Sequence, residues 1–174
     1  MRPNKVCPLV FRRQSSGDEV LVFRHPNAGV QLVKGTIEAG EEPQHAALRE
    51  LREESGIESA RVGESRGIWD SGHDGQVWEF VEIDVSQSLP DRWVHAAPDD
   101  GGREFEFYWH RIAETPSAEW HAVFIGALEF IRAKRSAVTT LEERVRKVAT
   151  LSGQFSRKRK PKSTRGGPGG RGRR

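Results

Sequence analysis

Glu50, Glu53 and Glu54 stand at i, i+3 and i+4, a spacing that places three carboxylates on one face of a helix. Like charges so spaced repel by roughly 0.2–0.5 kcal/mol a pair, so a tight acidic cluster calls for neighbouring Arg or Lys, or for a bound cation. Donor sets made only of oxygen suit Mg²⁺ or Mn²⁺, which act by bridging a few carboxylates to a substrate phosphate. The carboxylates alone would read as a solvated helix face, with Arg49 and Arg52 as ordinary charge partners.

The surrounding pattern changes that reading. Gly35 is followed after five residues by Glu41, then after seven by Arg49-Glu50-Leu51, then by Glu53-Glu54 and Gly56-Ile57. From average residue usage a chance match to all these positions is on the order of 10⁻⁹ per window. The stretch 35–57 resembles the Nudix box at every defined position, and a looser likeness in the order of strands and helices extends over about 5–135. The resemblance implies a Nudix-type α/β/α sandwich with a mixed sheet, the box loop and helix on one side and a C-terminal helix on the other. It implies a Mg²⁺- or Mn²⁺-dependent hydrolase that splits a diphosphate linkage by water attack at phosphorus. Glu50, Glu53 and Glu54 would hold the metal with the Gly35 carbonyl, Glu53 as the strongest ligand, and Arg49 would pair with Glu41 to fix the loop on the helix. An Arg fork suits that task where Lys would not. The general base differs among Nudix groups; outside the box Glu104 and Glu106 are the candidates. Several polyphosphate-cleaving groups carry Pro before Lys-Gly, whereas this chain has Val33-Lys34-Gly35, so the likeness to those groups is partial.

The elements that must position these residues are legible in outline. Residues 5–13 and 19–25 are rich in β-branched residues and Phe around a Gln14–Asp18 turn, which predicts a hairpin with its first strand at an edge or bulged at Pro8. A short strand, Val30–Val33, leads to Gly35. Pro43 fits a first helical position, Ala47 and Leu51 form an inward apolar pair, and Gly56 is placed to end the helix in the left-handed conformation. Residues 60–70 and 76–85 read as two strands joined by a Ser-Gly-His-Asp-Gly turn, and 86–103 as a lid loop without periodicity. Phe105, Phe107 and Trp109 alternate with polar neighbours in a further strand. A helix is expected from Pro116, capped by Thr115, with Trp120, Phe124, Ala127, Leu128 and Ile131 on its apolar stripe. A second helix begins at the Thr140/Glu143 capping box and ends at Gly153.

The 174 residues suit one domain with a real core, here 1–135, followed by an additional helix in 136–156 and a basic tail, 157–174. Nine of the 28 Lys and Arg lie in that tail, which has no acids; the rest carries 19 against 25 acidic residues, a net of −6. Such a Gly-rich cationic tail predicts disorder and could grip RNA or another polyanion. Cys7 is the only cysteine, which excludes an internal disulfide and fits a reducing compartment. No apolar run reaches membrane-spanning length, so the expectation is a cytoplasmic protein without a membrane partner. Lys34, beside the loop glycine, could contact a phosphate, and Trp93, in the polar excursion, could act as a lid contact. The six His lack zinc spacing. Three functions stand open: hydrolysis of a small nucleotide-type diphosphate, removal of diphosphate from an RNA 5′ end, and non-catalytic nucleotide sensing. A homodimer is compatible with all three.

Overall fold

The computed structural model describes residues 1–97 and 101–137. The expected second helix, 140–153, and the basic tail lie outside the described residues. Met1–Arg135 form one compact unit.

The described residues of the chain include nine strands and two helices. The strands are β1 (Lys5–Leu9), β2 (Phe11–Gln14), β3 (Gly17–His25), β4 (Gly29–Gln31), β5 (Gly35–Thr36), β6 (Ala60–Asp70), β7 (Val77–Val85), β8 (Arg92–Ala97) and β9 (Arg103–Arg111). The helices are α1 (Pro43–Ser55) and α2, described over 122–137. One sheet has the order β5-β1-β7-β6 and is mixed, since β1 and β7 run parallel; the other, β2-β3-β9-β8 with β4 also on β3, is antiparallel. The expected α/β/α layering is present, with two sheets in the middle layer where one was expected.

Strand alternation divides the core between the two helices. Val6, Leu21, Phe23, Val81, Phe105 and Phe107 pack with Ala46, Ala47 and Leu51 of α1. Cys7, Leu9, Val20, Val22, Trp78 and Phe80 pack with Phe124, Ala127, Leu128 and Ile131 of α2. Burial pushes the Cys7 thiol pKa far up, so it is an inert core group.

Three expectations need correction. The 5–13 strand breaks at Val10: β1 joins the mixed sheet and only β2 pairs with β3. At Pro8, as expected, β1 is an edge: Pro8 pairs with Val81 on one side, and β5, which reaches only Lys5 and Val6, stops before it on the other. The 86–103 excursion contains a regular strand, β8, whose alternation is masked in sequence by Pro and Asp on both flanks. The helix starts at 122 rather than at Pro116, since Val30 takes the backbone there: Val30 N–H donates to Glu119 O at 2.9 Å and Trp120 bridges to Val30.

β6 is an edge strand whose register to β7 slips twice, between Val62 and Ser65 and between Ser65 and Gly67. No helix among the described residues is long and apolar enough to cross a membrane.

Leu51 is fully buried at the centre of the contact between α1 and the sheets. Leu51→Ala is expected to lower stability by about 2–5 kcal/mol through the cavity it leaves. Urea unfolding should show a lower midpoint at an unchanged slope.

Candidate active site

The site is assembled on α1 and the loop before it. Pro43 occupies the first turn, where its missing N–H costs nothing, and Gly56 ends the helix at φ 74°, its N–H donating to Arg52 O at 2.9 Å. The apolar side is buried through Ala46, Ala47 and Leu51, and the carboxylate side is thereby set.

Glu50, Glu53 and Glu54 line one cavity of about 320 Å³, together with Phe23, His25, Gln31, Ala97 and Phe105. Glu50 is held tightly against the loop: a methyl group added at Gly35 would fall 1.6 Å from the Glu50 carboxyl carbon. Only glycine lets the loop backbone approach that carboxylate, which explains the first position of the box. Burial raises the Glu50 pKa, and Arg49 opposes the rise.

Arg49 organises the cluster. Its Nε and Nη2 donate to the two oxygens of Glu41, each at 2.9 Å, and Nη2 also donates to Thr36 O at 2.9 Å. Nη1 donates to Glu50 at 2.8 Å and to Glu53 at 3.1 Å. These five bonds match the five N–H donors of a guanidinium, a role that Lys with one nitrogen cannot fill. The bonds to Glu41 hold its carboxyl down at about 2 and raise the pKa of Arg49. Glu41 also accepts from the Glu38 N–H at 3.0 Å, tying the loop to itself.

Gly35, Glu50, Glu53 and Glu54 offer oxygen donors suited to a hard divalent cation, with Glu50 seated against the loop backbone. Among the described residues no three His, Cys, Asp or Glu side chains converge as a preformed cage; Arg49 instead holds one oxygen each of Glu50 and Glu53.

Residues chosen outside the box fare differently. Phe105 and Phe107 are buried on the α1 side, so Glu104 and Glu106 point to the opposite face of β9. Glu106 is held there by Arg24 and Arg92, and Glu104 is not among the side chains that line the cavity. Trp93 is no lid residue: it sits on β8, stacks on Phe107 with centroids 5.0 Å apart, and donates from Nε1 to Ser55 O at 3.0 Å. Lys34 places its ammonium 5.5 Å from the centroid of buried Trp78 and is also absent from the cavity lining. Burial and the nearby Lys5 lower its pKa, while Glu54 and Glu50 act against that. The sequence reading missed His25 and Gln31, whose place in the cavity follows from strand pairing: Phe23 opposes Gln31 and His25 opposes Gly29. His25 Nδ1 accepts from the Asn27 N–H at 3.0 Å, which leaves the ring hydrogen on Nε2.

The depressed Glu41 pKa makes stability depend on pH. The ion pair contributes fully above the ordinary glutamate value of 4.5 and is lost as pH falls toward about 2. Glu41→Gln is expected to be less stable than the parent by about 1–3 kcal/mol at pH 7. In urea titrations across acid pH, that gap should narrow below pH 4.5 and close near pH 2.

Comparison with known proteins agrees with this architecture. A relative from Saccharomyces cerevisiae, an ADP-ribose pyrophosphatase, is 38% identical over 92 residues, covering 49% of this chain and 40% of its own length. The chain thus spans less than half of that relative. An RNA pyrophosphohydrolase of Bartonella clarridgeiae is 26% identical over 131 residues, 63% of this chain and 76% of its own. The solution structure of the E. coli ORF135 protein superposes with a TM-score of 0.53 at 24% identity, covering 76% of this chain and 90% of that one, a likeness of fold. The model of the NUDIX domain matches residues 1–128, the span that carries both sheets, α1 and the carboxylate cavity, and the chain therefore belongs to the Nudix family.

Proposed function

We propose that this chain is a divalent-metal-dependent hydrolase that cleaves a phosphoric anhydride bond in a nucleotide-type substrate. The observation that carries the reading is the meeting of Glu50, Glu53 and Glu54 on one cavity wall, with Glu50 packed against the glycine loop. The names of the yeast and Bartonella relatives, both diphosphate-cleaving, support it.

The Gly35 carbonyl, Glu50, Glu53 and Glu54 would hold Mg²⁺ or Mn²⁺. Such an ion, when bound, neutralises diphosphate charge and lowers the pKa of a coordinated water. In the overall reaction a water oxygen bonds to phosphorus, the bridging P–O bond breaks, and the water proton leaves to a base. Arg49 and Glu41 keep the loop and helix in register, so the four ligands stay together. Phe23, Phe105 and Ala97 form an apolar wall, against which electrostatic contacts are stronger than in bulk water. His25 and Gln31 supply polar groups there to orient the substrate.

A screen of diphosphate compounds for phosphate release, with Mg²⁺ and Mn²⁺, tests this reading. Glu53→Gln and Glu54→Gln are each expected to lower kcat by at least about 100-fold. Full activity in both variants would overturn the site.

A second reading, an RNA 5′ end as substrate, is favoured by the Bartonella relative and by the nine Lys and Arg of 157–174. Deleting 157–174 should then weaken turnover of 5′-triphosphorylated RNA steeply at low salt and leave small nucleotides unaffected, since phosphate contacts dominate salt-dependent affinity. Unchanged RNA turnover would remove the tail from the mechanism.

A further inference from the structure

The last turn of α1 carries Glu53 and Glu54 and ends in backbone carbonyls that the helix itself cannot satisfy. Two of them are met by side chains of β8. His95 Nε2 lies 3.2 Å from Glu53 O, and Trp93 Nε1 donates to Ser55 O at 3.0 Å. A carbonyl oxygen only accepts, so His95 must carry its ring hydrogen on Nε2 in this contact. The fit is tight: a methyl group at Gly56 would fall 2.7 Å from His95 Nδ1, so glycine is required there by contact as well as by its left-handed φ.

Trp93, His95 and Ala97 are alternate residues on one face of β8. Trp93 is itself fixed by its stack on Phe107, and Ala97 lines the carboxylate cavity. Phe105, which opposes His95 across the β8–β9 pairing, forms another part of the cavity wall. One strand therefore joins the end of the carboxylate helix to the sheet that supplies the opposite wall.

We infer that His95 is a positioning residue, which through the Glu53 backbone carbonyl holds the Glu53 and Glu54 carboxylates at a fixed distance from the cavity wall on the antiparallel sheet. Trp93 anchors the same turn one residue pair further on. The inference rests on the proposed cation site, because its consequence is the arrangement of cation ligands. Groups that orient metal ligands from behind typically change metal affinity or activity by about 10–100-fold when removed.

The test uses the full chain, with His95→Leu, which removes the donor, His95→Gln, whose amide reaches to a similar distance, and His95→Asn, whose amide falls short. Mn²⁺ binding is read without substrate by electron paramagnetic resonance, and amide hydrogen exchange of residues 53–56 is read without metal. His95→Leu and His95→Asn are expected to weaken Mn²⁺ binding by about 10-fold and to speed exchange in that turn, while His95→Gln stays within about twofold of the parent. If Leu at this position fails to fold, the Asn and Gln pair decides alone. Equal Mn²⁺ affinity in the parent and the donor-deficient variants, or an equal loss in His95→Gln, would overturn the positioning role while leaving the cation site standing. A parent protein that binds no Mn²⁺ would overturn the cation site and this inference with it.

Discussion

A helix face with three carboxylates within two turns is held in place by one guanidinium. Arg49 has five N–H groups, and the structure gives each an oxygen: two on Glu41, one on Thr36, one each on Glu50 and Glu53. The pairing with Glu41 sets where the loop of Gly35 lies relative to α1, and so brings the loop backbone against Glu50. Without that tie Glu50 and Glu53 would lose their shared guanidinium, and like charges on one helix face repel. A full complement of partners also means that Arg49 has no donor left over for a substrate phosphate.

The two sheets give this arrangement its depth. The break at Val10 lets one run of chain serve both sheets, so β1 lies under the loop while β2 and β3 build the far side. α1 rests across both, with Leu51 among Val6 and Val81 on one hand and Phe23 and Phe107 on the other. The cavity forms where the helix face meets β3, β4, β8 and β9, which is why its walls are aromatic and its floor is acidic.

The sequence made the box legible because its residues are close in the chain and obey one period. Pro43, the Ala47 and Leu51 pair and the Gly56 cap are all local signals, and each appears in the structure as read. What failed was long-range. β8 has no bounding turn that periodicity can find, since Pro90 and Asp91 before it and the Pro-Asp-Asp run after it look like loop, and in sequence Trp93 therefore reads as a lid contact. Glu104 and Glu106 stand out in sequence only by lying just before Trp109, yet the period of two that buries Phe105 and Phe107 turns both away from the cavity. His25, Gln31 and His95 could be found only through strand pairing, because nothing in their immediate neighbours distinguishes them from surface residues.

The double slip in register along β6 has a meaning for life at high concentration. An extended, regular outer strand offers a ladder of unused backbone donors and acceptors to any neighbouring chain. β6 spans eleven residues at the border of its sheet, and at Val62, Ser65 and Gly67 that ladder loses its even spacing. Bulges twist such a strand out of line with a would-be partner. A border bent in this way is a poorer template for stacking than a regular outer strand would be.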